Sequence, residues 1–115
     1  MSVPFDQTAT IAASGTLSGK FILEYPIAVN LLVPTFTSAP VSFQVCVDAV
    51  AFAADQFFNL FDELGQEVQI PAGTHNVVYS VPSLVGVYGV KIRSGLSGDT
   101  TAQASARTMQ AFGLR

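Results

Sequence analysis

Apolar and polar residues alternate along several short stretches of the chain, most clearly in VSFQVCV, which begins at Val41. Val41, Phe43 and Val45 fall on one face of this stretch, and Ser42 and Gln44 fall on the other. Period-two alternation that uses β-branched and aromatic residues is typical of a strand with one buried face. We therefore predict a strand here, with Phe43 in the core.

Seven further segments have the composition of strands, and no segment has a long helical period. They are residues 17–25, 27–33, 57–61, 67–70, 75–81, 87–94 and 107–114. Short strands at intervals of about 10 to 14 residues are typical of an all-β sandwich or barrel. We predict a single antiparallel β-sandwich of jelly-roll type, in preference to a barrel, with about eight short strands. Residues 47–56 are expected to form a short helical turn or a loop.

Prolines and small residues mark the expected boundaries. Pro26 and Pro34 stand next to predicted strands, which favours strand ends or edge strands because proline cannot donate to a ladder. Residues 1–20 are rich in Thr, Ala, Ser and Gly and are predicted to be an extended N-terminal arm or edge rather than a packed element. Residues 21–115 then form the β-sandwich domain.

The composition of the chain favours some classes of function and argues against others. The 115 residues suit one domain, and charged residues are only 11% of them, against 50% hydrophobic. A folded chain with so little charge is expected to expose apolar surface, which usually indicates partners, so we predict a homo-oligomer, either a trimer or a dimer. The net charge of −3 and the scattered basic residues argue against nucleic acid as a ligand. The sequence has no apolar run long enough to cross a membrane and no secretory signal.

Two adjacent carboxylates, Asp62 and Glu63, lie in the segment DELGQ between two alternating runs. Neighbouring residues of a strand point to opposite faces, so the two acids are poorly placed to act as a catalytic pair. Gly65 can supply the positive φ that a hairpin turn needs. We interpret the acids as solvated turn residues and expect Glu67 to face solvent, across from Asn59 or Phe61.

No other residue has the surroundings of a reactive group, so no catalytic, cofactor-binding or metal-binding residue is predicted, and the protein is not expected to be an enzyme. His75 is the sole histidine, and none of Ser80, Ser83 and Ser94 lies in a nucleophile motif. Cys46 cannot form an internal disulfide and is expected to be a small buried side chain. Asp99 lacks the neighbouring oxygen ligands that calcium requires.

The aromatic residues favour a core or an interface over a sugar-binding platform. Nine are Phe, three are Tyr and none is Trp. Phe lacks the polar group that suits a wet binding face, which leaves Tyr25, Tyr79 and Tyr88 as the candidates for stacking on a sugar.

Three stretches, VSFQVCVDAVAF, FFNLFDELGQEVQIP and GVKIRSGLSGDTTAQASARTM, resemble small virion proteins of tailed phages. The resemblance spans roughly residues 41–109. The order of strands is also similar to that of galactose-binding-like β-sandwich modules. The chain departs from the pattern in two places. Asp48 is followed by Ala49 instead of glycine, and no tryptophan precedes Lys91.

The resemblance implies a capsid decoration (cement) protein of the phage head, which would be made in the host cytoplasm and located on the capsid surface of the virion. Its partner would be the major capsid protein, and its role would be to bridge neighbouring capsid subunits. The alternative is a carbohydrate-binding module of a phage fibre or tail, and a third interpretation is an enzyme subunit with no site of its own. The contact candidates are residues 2–20 and the loop at 95–106, because small residues permit close approach of another backbone.

Overall fold

The computed structural model describes residues 2–115, which form eight strands, one short α-helix and one 3-10 turn. The elements in chain order are β1 (Pro4–Ile11), β2 (Phe21–Ile22), β3 (Ala28–Cys46), α1 (Ala49–Ala53), β4 (Phe58–Asn59), β5 (Gln69–Ser80), the 3-10 turn (Pro82–Leu84), β6 (Gly89–Leu96), β7 (Asp99–Thr100) and β8 (Arg107–Leu114).

Every strand pairing is antiparallel, and the main path of the sheet is β1-β8-β3-β6-β2. Strands β4 and β5 pair with β3, and β7 pairs with β6. The predicted all-β, sandwich-like class is therefore confirmed, although the strands belong to one continuous sheet that folds over a single core. The jelly-roll strand order stays a prediction.

Strand β3 connects the two halves of this sheet. Along one edge, its first residues pair with β8 up to Leu32, and its last residues pair with β6 from Val41 onwards. The prediction that Pro34 ends a strand was wrong, since β3 continues through Pro34 and Pro40 for 19 residues. Both prolines lie in the gap between β8 and β6, where that edge of β3 has no partner strand and a missing N–H costs no ladder bond.

The middle of β3 bends sharply, together with its neighbour β5. The register of β3 against β5 shifts between Thr35 and Ala39, and opposite this point His75 and Asn76 have φ of 57° and 66°. Such irregularities increase the local bend of a strand pair. Because of the bend, both ends of β3 lie near Tyr25, whose hydroxyl donates to the carbonyl of Val47.

The core lies between the two halves and draws on both of them. Phe43 is fully buried, and so is Cys46, which confirms their predicted burial. The largest buried apolar side chains from the rest of the chain are Ile11, Phe21, Leu23, Leu31, Leu84, Ile92 and Met109.

The N-terminal segment is more ordered than predicted. Strand β1 pairs along its whole length with β8, and its Phe5 and Ile11 are buried. The prediction of an unpacked arm was therefore wrong for this stretch, although β1 does lie at an edge of the sheet. Phe5 and Ile11 are the two buried residues of β1, and together with the partly buried Ala9 they pack this otherwise polar strand against the core.

The segment between β3 and β4 forms the helical turn that was one of its two expected conformations. Asp48 caps α1 by accepting a hydrogen bond from the N–H of Ala51 at 2.8 Å. A side-chain oxygen at this position satisfies a backbone donor that has no partner within the helix. Phe52 of α1 lies over Gly89 at the start of β6, where even a β-carbon would approach its ring to 2.5 Å.

Candidate interaction surfaces

The adjacent acids belong to a turn, as predicted. The Asp62 carboxylate accepts hydrogen bonds from the N–H groups of Leu64 at 2.8 Å and Gln66 at 3.0 Å. Gly65 has a φ of 78°, and Glu63 is exposed. Asp62 therefore holds the chain reversal, and its carboxylate is occupied by backbone donors.

Glu67 does not face solvent, and that prediction was wrong. Its carboxylate lies 3.0 Å from the Arg93 guanidinium, and the two side chains are only 10% and 6% exposed. Arg93 also donates to the side chains of Asn59 and Ser42, while Glu67 accepts from the backbone and hydroxyl of Ser97. Through these contacts the ion pair joins β3, β4 and β6 to the loop that follows β6.

The sequence alone was sufficient to predict only part of the ion pair between Arg93 and Glu67. Arg93 alternates with the buried Ile92, so its position on the opposite face was predictable. The pairing of Ser42 with Arg93 and of Phe61 with Glu67 brings the charges together across the sheet. Those registers join residues far apart in sequence, and alternation alone does not specify them.

An open cleft of about 750 Å³ lies beside this ion pair, lined by Asp62, Gln66, Glu67, Val68, Gln69, Ser83 and Leu96. Its two acids are the turn acid and the ion-paired acid described above. Both carboxylates therefore already accept hydrogen bonds from the protein, which is the arrangement of structural rather than acid–base residues.

His75 supports the bend in β3. Its Nε2–H donates to the carbonyl of Ala39 at 2.8 Å, and its Nδ1 accepts from the Tyr79 hydroxyl at 2.7 Å. A carbonyl can only accept, so Nε2 carries a proton, and in the neutral ring Nδ1 is then the acceptor. Within residues 2–115, Ser80, Ser83 and Ser94 make no hydrogen bond to His75.

Cys46 is buried, as predicted, and its Sγ lies close to the ring of Phe52 in α1. Desolvation is the main cause that raises the pKa of its thiol. Because the thiolate is the reactive form, burial makes this cysteine inert.

A second charged group secures the chain after α1. Lys91 contacts the carboxylate of Asp55 at 2.8 Å and lies over the ring of Phe57. The hydrogen bond from Lys91 is the main cause that lowers the pKa of Asp55. Lys20 lies 3.7 Å from the same carboxylate, so these two basic residues are engaged within the protein.

Asp99 and the three tyrosines do not converge on a ligand site. Asp99 is exposed in the β6–β7 hairpin, and residues 2–115 contain no cluster of three metal-ligating side chains. Tyr25 and Tyr88 pack edge to face at 5.3 Å, whereas Tyr79 is bonded to His75 at the bend. The three candidate sugar-stacking residues are therefore not one platform.

The two predicted contact segments meet at the bent end of the molecule. Gln103, from the 95–106 loop, exchanges backbone hydrogen bonds with the 14–15 stretch of the N-terminal segment. Its side chain is 1% exposed and also binds Thr37. The exposed residues around it are mainly small, including Ala12, Ala13 and Ala104. The two segments therefore form one anchored surface.

The opposite end of the molecule carries an apolar surface that we call the apolar end. Its exposed side chains come from segments joined by backbone and side-chain hydrogen bonds: Val3 pairs with Arg115, Ile27 with Leu114, and Tyr25 with Val47. Their exposed fractions range from 39% to 77%. The seven residues of the apolar end are Val3, Tyr25, Ile27, Val47, Val50, Val85 and Leu114. In other proteins, large exposed apolar patches often mark interaction sites.

No helix among residues 2–115 has the length and apolarity to cross a membrane. No family model and no curated protein matches the chain. Among solved structures, the chain is similar to the SPBc2 prophage-derived protein YomS, with 12% sequence identity and a TM-score of 0.53. The match covers 98% of this chain and 96% of that one. The two chains share a fold.

Proposed function

We propose that this protein is a non-enzymatic structural protein of a bacteriophage particle, and specifically a head decoration (cement) protein that binds the major capsid protein. The observation that carries the proposal is the apolar end. A surface built from seven exposed apolar side chains suits a protein that works by binding to a large assembly. The fold shared with a prophage-derived protein supports a phage origin.

The energetics of the apolar end suit a cement role. Fully burying an exposed Val, Leu or Ile contributes about 1.5–3 kcal/mol, and these side chains are roughly half exposed, so each can contribute about 1 kcal/mol. The gross gain over seven residues is then several kcal/mol, from which the cost of association must be subtracted. At the low end of that cost, about 4 kcal/mol, a net gain of a few kcal/mol per copy remains, and the gains of many copies bound to one shell would add.

The polar residues support a structural role in place of catalysis. The carboxylates of Asp62 and Glu67, the ring of His75 and the thiol of Cys46 each have a structural partner or are buried. A catalytic constellation needs groups that are free to reach a substrate.

The test is a thermal melt of purified phage shells that lack the protein, with wild-type or variant protein added back. We expect wild-type protein to raise the melting temperature, because a ligand of the assembled state stabilises it by about 2.7 kcal/mol at a hundredfold excess over Kd. Ile27→Asp places a charge in the apolar end and should abolish the gain. Leu64→Asp is the matched control, since Leu64 is 80% exposed on the hairpin outside that surface.

Two further arms of the experiment separate the alternatives. Ala13→Glu alters the small-residue surface at the bent end. If this variant alone lost binding to the shell, the docking site would lie at the bent end and not at the apolar end. Tight binding to a glycan array, together with unchanged shell melting, would overturn the cement role and support a carbohydrate-binding module.

A further inference from the structure

One segment of strand β5 presents a free backbone edge. Strand β5 pairs only with β3, and within residues 2–115 its backbone makes no hydrogen bond outside that pairing. The bend at His75 and Asn76 divides it into two arms. The first arm carries Pro71, which blunts an edge because it has no N–H. The second arm, Val77–Ser80, has no proline and no bulge.

The hydrogen-bond pattern shows which backbone groups of this arm are free. The N–H of Val81 donates to the carbonyl of Val29, so Val29 and Val81 are a hydrogen-bonded pair of the antiparallel ladder. The same register pairs Leu31 with Tyr79. Since such pairs alternate along a ladder, the N–H and C=O groups of Val78 and Ser80 point away from β3.

The side chains at this edge are suited to pairing with another uncharged strand. Val77 and Val78 point to opposite faces of β5, yet they are 46% and 53% exposed. The chain has no Asp, Glu, Lys or Arg between Glu67 and Lys91. Natural proteins usually protect a free edge with charge, proline or a bulge, and this arm has none of them.

The opposite edge of the sheet is protected. Val3 and Arg115 exchange two backbone hydrogen bonds, which makes them a hydrogen-bonded pair and directs the even-numbered residues of β1 outwards. Pro4 and the exposed Asp6 stand at those outward positions. A proline and a charge therefore blunt the β1 edge, and the two edges of the sheet differ in their capacity to pair.

We propose that two copies of this chain associate through Val77–Ser80, paired antiparallel across a two-fold axis. A copy of the same arm fits because it supplies the missing donors and acceptors without bringing like charges together. The register that uses all the free groups pairs Val78 with Ser80 of the second copy and puts the two Tyr79 residues opposite each other on the axis. This interface extends the sheet across the dimer. It does not rest on the virion role, since it concerns the isolated chain.

The test is the mass of the isolated protein by light scattering at micromolar concentrations. We expect twice the chain mass of 12.1 kDa. Ser80→Pro removes an outward N–H that β3 does not use and should give a folded monomer. Thr8→Pro is the matched control, because Thr8 is an exposed residue with an outward N–H on β1, and this variant should stay dimeric.

Two readouts keep the proposal open to refutation if Ser80→Pro fails to fold. Val78→Lys and Val78→Glu should each be monomeric, and mixing the two should restore a dimer. Hydrogen exchange at residues 77–80 of the wild-type protein should slow as concentration rises. A wild-type monomer or trimer, or a folded Ser80→Pro that remains dimeric, would overturn the interface.

Discussion

The Gln103 side-chain amide makes reciprocal hydrogen bonds with the backbone of Thr37, accepting from its N–H at 2.8 Å and donating to its C=O at 3.1 Å. Thr37 lies within the register shift of β3, where β5 provides no regular partner. The amide of Gln103 thus replaces a strand at the bend. It also donates to the Ser94 hydroxyl, which ties β6 to the same point.

Gln103→Leu should lower the free energy of unfolding by about 3 kcal/mol, because it keeps the size of the side chain but leaves part-buried backbone groups of Thr37 unpaired. Urea titration of the variant measures the change. Gln110→Leu is the control, since Gln110 bonds only to the exposed Asp6 and should shift stability by less than about 0.5 kcal/mol. Equal losses in the two variants would contradict the role of Gln103.

Phe43→Ala should destabilise the fold by about 3–5 kcal/mol, because it removes a fully buried ring from the middle of β3 and leaves a cavity. Phe58→Ala, at a ring that is 64% exposed, should cost much less. Urea titration again decides, and a loss below about 1 kcal/mol for Phe43→Ala would place that side chain on the surface.

Removing one partner of the ion pair should cost more than removing both. Arg93→Met leaves the carboxylate of Glu67 in a site that is 10% exposed, and breaking a buried pair in this way costs about 3–5 kcal/mol. The double variant Arg93→Met with Glu67→Leu should recover part of that loss, since no unpaired charge remains. A double-mutant cycle by urea unfolding measures the difference, and additive losses would show that the two charges are independent.

The double variant Asp62→Asn with Glu63→Gln should change stability by less than about 0.5 kcal/mol. The side-chain oxygen of the introduced asparagine can still accept the two backbone hydrogen bonds of the turn, and Glu63 is exposed. Asp62→Ala removes the acceptor and should cost about 1 kcal/mol, which urea titration of both variants measures. A hydrolytic activity that disappears in the double variant would restore the acids as catalytic residues.

Cys46 should react slowly with a thiol reagent at about pH 8 in the native protein and rapidly in urea. Burial disfavours the charged thiolate, and this desolvation raises the pKa of the thiol. Burial also blocks the access of the reagent. Gly89→Ala crowds the contact between Phe52 and Cys46 and should speed the native reaction by loosening α1. Rapid labelling of the wild-type native protein would place Cys46 at the surface.

Local patterns were sufficient for several features of this protein. The alternation around Phe43 identified a strand and its buried face, and the segment from Asp62 to Gln66 identified a turn. These features depend on residues close in sequence, through the two-residue repeat of a strand and the φ preference of glycine. The all-β class followed in the same way from the spacing of short apolar runs.

The pairings between distant segments were decided only by the tertiary structure. Pro34 looked like a strand end, but the edge it faces has no partner strand. Glu67 looked solvated, but Arg93, 26 residues away, lies across the sheet from it. Thr37 and Gln103 are 66 residues apart, and nothing in either neighbourhood specifies the other. The order of strands sets these contacts, and it depends on the packing of the whole chain around one core.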